Sequence, residues 1–163
     1  MSVTSGTATV TLPTDEQILI TREFDAPRHL VYEAWTTPEH VRRFWHAKRG
    51  EMTVADIDLR VGGRWRYAMV TPDGVEVAFH GEFREIVPNE RIVSTEAYEG
   101  VPDPDANATL NTATFTEENG RTTLTILVQA PSKEVRDAIV ESGMEDGLQD
   151  AMDLLEEVAI SLR

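Results

Sequence analysis

A first set of polar side chains that could take part in chemistry lies between residues 64 and 99. Five polar residues alternate there with apolar ones: Arg66, His80, Glu82, Glu96 and Tyr98. Histidine titrates near neutral pH, so His80 could act as a general acid or base. In an extended strand, however, His80 and Glu82 share the face opposite to the neighbouring phenylalanines. If the aromatic face lines the core, His80 points to solvent, unless a bulge at Gly81 changes the register.

A second set of candidates consists of paired acids and scattered histidines. Asp56 and Asp58 share one strand face, where two carboxylates could hold a divalent cation or form an acid–base pair. An exposed face is the more common arrangement, in which Asp58 pins the following Gly-Gly turn or pairs with Arg60 or Arg64. The other histidines, which lack the spacing of metal ligands, are His29, His40 and His46. The sequence therefore predicts no catalytic residue, no metal site and no cofactor.

Composition excludes several classes of function. The 163 residues contain no cysteine, which removes disulfides and thiolate chemistry and fits a reducing cytoplasm. The formal net charge of −14 repels phosphate backbones, so nucleic acid is not an expected partner. The N-terminal stretch lacks the apolar core of a signal peptide, and no apolar run is long enough to span a bilayer. We therefore expect a cytoplasmic protein of one domain without a membrane span.

The order of the elements predicts an α+β fold. Residues 1–15 read as a flexible leader, and residues 16–163 as a single domain. Alternating patterns predict seven strands, at 16–25, 52–59, 64–70, 75–86, 91–99, 110–116 and 122–129. Two short helices follow the first strand, because Pro27 and Thr37-Pro38 are helix-start signals. The last six strands follow one another through hairpin-type connections, which predicts an antiparallel sheet.

The C-terminal stretch 143–163 is the element around which the rest is organised. Its apolar residues share one helical face and its acids the other, including Asp153 and Glu156. The apolar face just before it, at Val135 and Ile139, lies nearly opposite on the same helical wheel. One straight helix cannot bury both faces, so we predict a break at Ser142-Gly143.

Four segments of the chain resemble a known family. They are FDAPRHLVYEAWTTPEHVRRFW (24–45), DLRVGGRWRYAM (58–69), GEFREIVPNERIVST (81–95) and GMEDGLQDAMDLL (143–155). Their order is similar to that of the START-like (SRPBCC) superfamily, in its activator of heat-shock protein 90 ATPase homologue branch, over about 18–162. The resemblance implies the helix-grip fold, in which a seven-stranded curved sheet grips a long C-terminal helix with a cavity between them. One departure is Leu148, where the family motif often carries tryptophan.

The implied cavity would be lined by large and adaptable apolar side chains from both layers. The expected lining residues are Trp35, Trp45, Met52, Trp65, Tyr67, Met69, Phe79, Phe83, Tyr98, Met144, Leu148, Met152 and Leu155. The alternative is that these residues only fill the core. The loop 100–109 could be a lid over the cavity or a plain connection.

Three functions remain open on this evidence. The first is non-enzymatic binding of a small hydrophobic or amphipathic ligand in the cavity. The second is a polyketide cyclase-like enzyme that uses the same cavity. The third, implied only by the branch name, is a chaperone ATPase-activating interaction; residues 1–17 are too short to form the additional N-terminal domain of the members with that activity. The resemblance also favours a homodimer, through an interface that the sequence does not locate.

Overall fold

The computed structural model describes residues 7–163, which form eight strands and four helices. The strands are β1 Thr9–Thr11, β2 Gln17–Phe24, β3 Glu51–Ile57, β4 Arg64–Val70, β5 Glu76–Val87, β6 Arg91–Tyr98, β7 Thr109–Glu118 and β8 Arg121–Gln129. The helices are α1 Arg28–Thr36, α2 Pro38–Phe44, α3 Lys133–Glu141 and α4 Met144–Ser161, and a short 3-10 helix spans Pro104–Asn107. Among the described residues, none of the helices has the length and apolar character needed to cross a bilayer.

All eight strands join one antiparallel sheet in the order β1-β2-β8-β7-β6-β5-β4-β3. The predicted α+β helix-grip fold is confirmed, with eight strands instead of seven. The additional strand is β1, which lies in the expected leader and pairs with β2 from Thr9 opposite Thr21 to Thr11 opposite Leu19. Residues 1–6 of that expected leader lie outside the described residues.

The core lies between one face of the sheet, which we call the concave face, and the helices α1, α2 and α4. Ile18, Ile20 and Phe24 of β2 alternate toward this core and are almost fully buried. Met152 and Leu155 of α4 meet the same cluster from the helix side. Because strand side chains alternate between faces, the cross-strand pairing assigns every later residue to the concave face or to the opposite, outer face.

The predicted helix break is confirmed. Gly143 separates α3 from α4 and has a φ of 82°, a left-handed conformation that costs glycine little. The Asn119-Gly120 hairpin turn between β7 and β8 also has positive φ at both residues.

The prediction that all the acids of α4 share a polar face away from the core was wrong for Glu156. Glu156 is only 1% exposed, and its carboxylate lies 3.6 Å from the guanidinium of Arg22, which is also buried. Arg22 donates to Asp153 at 2.9 Å as well, and the Asp25 backbone N–H donates to Glu156 at 2.8 Å. Strand alternation turns Arg22 into the core, and a buried guanidinium requires acidic partners from the helix above it.

Candidate functional site

Five aromatic rings form one connected group on the concave face, which we call the aromatic cluster: Trp45, Trp65, Tyr67, Phe79 and Tyr98. Trp45, which follows α2, packs edge-on against Tyr67 and Phe79 with ring centroids 5.6 Å apart in each case. Trp65 and Tyr67 lie 4.7 Å apart. The cluster therefore joins the strands β4, β5 and β6 to the segment that follows α2.

The predicted lining residues differ in burial. Five are buried, namely Trp65, Met69, Phe83, Met152 and Leu155. Seven are partly buried, and all of these pack against the core: Trp35, Trp45, Met52, Tyr67, Phe79, Met144 and Leu148. Tyr98 is 41% exposed at the rim, where its ring covers Phe79. Trp35 packs against Phe44 and Phe115 in a neighbouring group of rings.

Glu96 places an acid among these rings. Phe79 pairs with Tyr98 across β5 and β6, and Glu96, two residues before Tyr98, shares its face. Burial of the carboxyl group raises the pKa of Glu96 to about 7, against a smaller opposing effect of a hydrogen bond with Asn111. Thr109 in turn donates to the Asn111 side-chain oxygen at 2.8 Å. The concave face thus carries a carboxyl group that gains or loses its proton near neutral pH.

Tyr67 contributes a neutral hydroxyl group to the same region. Burial, and secondarily the negative charge of Glu96, raise the pKa of Tyr67 well above its usual value. The phenol therefore stays protonated at neutral pH and can donate a hydrogen bond.

Trp65 adds a second donor to the concave face. Its side chain is buried, and its indole Nε1 has no hydrogen-bond partner among the described residues. Trp65 pairs with Gly81 of β5, and a Cβ atom at Gly81 would lie 2.5 Å from this nitrogen and 1.8 Å from the Thr95 carbonyl oxygen. The neighbouring backbone therefore approaches Gly81 closely. The irregularity in the β5–β6 pairing is not at Gly81, where a bulge was considered, but further on, between Phe83 and Glu85.

Arg66, Glu82 and His80 lie on the outer face, as alternation predicted for His80. Its ring nitrogens contact Glu99 at 2.9 Å and Asp105 at 2.6 Å. These hydrogen bonds, that of Asp105 first, raise the pKa of His80 above its usual range. Arg66 donates two hydrogen bonds to Glu99 and lowers the pKa of that carboxyl to about 2. Arg66, His80 and Glu99 therefore all have charged or hydrogen-bonding partners on the outer face, which is typical of a structural ion network.

The loop 100–109 is attached to this outer network through Asp105, on the side of the sheet opposite to α4. That position fits a connection between strands better than a lid. An open pocket of about 390 Å³ lies beside it, with a mainly charged lining: Asp56, Arg64, Trp65, Arg66, His80 and Glu99.

Of the two acids expected on one strand face, Asp56 lies in β3 and Asp58 just after it, where it pairs with a neighbouring side chain. Asp58 accepts a hydrogen bond from Arg60 Nε at 2.8 Å, one of the pairings considered for it. Within the described part of the chain, no group of three or more acids or histidines has the arrangement of a metal site.

An antiparallel sheet that packs its concave face on a C-terminal helix, with aromatic rings and one partly buried acid on that face, defines a helix-grip protein of the START-like class. A family model described as "Activator of Hsp90 ATPase homolog 1-like protein" matches residues 25–159, and the chain belongs to that family. The predicted family is thus confirmed. No curated protein matches the chain in a sequence search.

Solved structures share the fold over nearly their whole length. A protein from Rhodobacter sphaeroides superposes with a TM-score of 0.85 at 22% identity, covering 94% of this chain and 99% of its own. Protein Ms6760 from Mycobacterium smegmatis has a TM-score of 0.82 at 28% identity, with 93% and 96% covered. A protein from Arthrobacter aurescens has a TM-score of 0.83 at 25% identity, with 94% and 91% covered.

Proposed function

We propose that the protein binds a small hydrophobic or amphipathic molecule between the concave face and α4, in the cytoplasm. The observation that carries the proposal is Glu96, a carboxyl group with a pKa of about 7 set among aromatic side chains. Ligand sites are mostly apolar, with a few polar groups that orient the ligand, and perturbed pKa values are more frequent there than elsewhere. The fold of this family is, in addition, one known for binding hydrophobic ligands.

The distribution of burial favours a ligand site rather than a region that is completely filled by core side chains. Leu155, near the middle of α4, is fully buried, as expected of a core residue. Met144 and Leu148, nearer the start of α4, are only partly buried, and so are Trp45 and Tyr67 below. These partly exposed apolar surfaces belong to both layers, so a ligand at this end of the domain would contact the helix and the sheet at once.

Thermal unfolding in the presence of a library of ring compounds and fatty acids tests the proposal, followed by native mass spectrometry of the compounds that raise the melting temperature. A ligand present at a hundred times its Kd adds about 2.7 kcal/mol of stability, an easily measured shift. The variant Met144→Trp adds a large ring to the partly buried start of α4, and should abolish the shift. Ile160→Trp, at the exposed end of α4, is the matched control and should retain it. A flat response of the unmodified protein to the whole library would refute the proposal.

A second candidate function is that of a polyketide cyclase-like enzyme, and the position of Glu96 favours it. Proton transfer is most efficient when the pKa of the catalytic group lies near the working pH, which is the case for Glu96. The neutral hydroxyl of Tyr67 could then stabilise an enolate oxygen. The two functions differ in outcome: an enzyme converts its bound compound, and Glu96→Gln binds the compound but leaves it unchanged, as chromatography of the recovered compound would show.

A further inference from the structure

The indole N–H of Trp65 is a donor without an acceptor in the interior of the protein. The residue is 6% exposed, and its Nε1 has no partner among residues 7–163. Buried tryptophan N–H groups usually find a hydrogen-bond partner, because a donor that loses its water without gaining an acceptor destabilises the fold. An unpaired donor at this position is therefore better explained by an acceptor that arrives with a ligand than by packing alone.

The surroundings of this N–H identify the place where such an acceptor would lie. Trp65 pairs with Gly81, whose missing side chain leaves room for the indole nitrogen, 2.5 Å from the place of a Cβ atom. Between β5 and β6, His80 pairs with Ala97 and Phe83 pairs with Ser94. The same register places Glu96 of β6 opposite Gly81 of β5, on the concave face. The unpaired donor of Trp65 and the partly buried Glu96 therefore flank the same short stretch of β5.

We propose that the ligand presents a neutral oxygen acceptor, such as the carbonyl group of a ring ketone, to the indole N–H of Trp65 beside the carboxyl group of Glu96. This inference rests on the proposed function and names the chemical class of its ligand. A ring skeleton matches the aromatic cluster, whose rings offer both faces and edges. A neutral oxygen suits Trp65 and Glu96 better than an anionic one. An anionic ligand would be repelled by ionised Glu96 and by the net charge of −14.

The carboxyl group of Glu96 can hydrogen-bond a ligand of this class in either protonation state. When protonated, it donates a second hydrogen bond to the carbonyl oxygen that accepts from Trp65. When ionised, it accepts from a hydroxyl group on the same ligand. Ring compounds with a carbonyl or a phenolic hydroxyl group are thus selected over their parent hydrocarbons of the same shape.

The experiment compares matched pairs of ring compounds that differ only in the carbonyl oxygen: 1-tetralone and tetralin, 9-fluorenone and fluorene, benzophenone and diphenylmethane. The protein is labelled with ¹⁵N, and its three indole N–H signals are followed, one for each tryptophan. The Trp65 signal is assigned from Trp65→Phe or, if that variant does not fold, by exclusion with Trp35→Phe and Trp45→Phe. We expect at least one ketone to bind about tenfold more tightly than its hydrocarbon and to shift the Trp65 signal downfield.

Trp65→Phe keeps a ring at this position but lacks the N–H, and should bind the ketone no better than the hydrocarbon. Ketone and hydrocarbon that bind equally, with the Trp65 indole signal unchanged, would overturn the inference and leave the proposed function intact. If no compound of the three pairs binds, and the wider library also gives no thermal shift, the inference and the proposed function both fail.

Discussion

Replacing Glu96 by glutamine tests the electrostatics of the concave face without any ligand. The pKa of Glu96 is about 7 in the folded protein, against its usual value of 4.5. Folding therefore favours the protonated carboxyl group. Below pH 4.5 the group is protonated in both states and costs nothing; between 4.5 and 7 the free energy of unfolding falls as the pH rises; above 7 the full penalty is present.

The separation between the two pKa values sets the size of the effect. At 1.36 kcal/mol per pH unit it corresponds to a penalty of about 3 kcal/mol at alkaline pH. The glutamine variant lacks this titration. Its stability relative to the unmodified protein should therefore rise by about 2–3 kcal/mol between about pH 5 and pH 8.5. The isoelectric point near 4.6 makes pH 5 a practical lower limit.

Urea unfolding of both proteins across this pH range measures the difference, since the titrations of all other groups cancel between them. The control is Glu82→Gln, which removes a carboxylate from the outer face of the adjoining strand. A ¹³C titration of the Glu96 carboxyl carbon, assigned by its loss in the variant, should have its midpoint near 7. Parallel stability curves together with a midpoint near 4.5 would refute the raised pKa of Glu96.

Three further predictions concern the sheet and its ion networks. Gly81→Ala forces a Cβ atom into the neighbouring backbone and should lower the free energy of unfolding by at least about 1–3 kcal/mol in urea titrations; a loss below about 0.5 kcal/mol would contradict the close approach. Arg22→Met leaves the buried carboxylate of Glu156 without its cation and should cost about 3–5 kcal/mol by the same assay, a loss that Arg22→Met/Glu156→Leu partly recovers. Asp105→Asn removes the main cause of the raised His80 pKa, so NMR titration should find a lower pKa in the variant; an unchanged value would show that the contact is absent in solution.

Hydrophobic periodicity predicted most of the fold because the strands and α4 have regular apolar faces. The strand β4 was predicted with its observed bounds, and the break at Gly143 followed from two apolar faces that one helix could not bury. The strand β1 was missed, since its three residues are too few for their alternation to stand out in a Ser/Thr-rich stretch. Only pairing with β2, a long-range contact, identifies it as a strand.

The polar part of the site was less predictable. Alternation placed His80 outside correctly, because phenylalanines mark the other face of β5. In β6, polar residues occupy both faces, so the pattern could not assign Glu96 to either of them. The unpaired N–H of Trp65 depends on how closely β4 and β6 approach Gly81, and the burial of Glu156 depends on Arg22, which is far away in sequence. Each of these features arises from tertiary contacts and has no local signal.

The outermost position of β3 bears on how copies of this protein can associate. A strand at the border of an open sheet exposes unpaired backbone groups, which can recruit the same strand of another molecule into a continuous ribbon. Here Glu51 and Asp56 are exposed on that strand, and an irregularity between Met52 and Val54 bends its backbone. Repulsion between the like charges and the bend in β3 both oppose edge-to-edge pairing of two molecules. Acidification neutralises carboxylates and would remove the repulsion but not the bend.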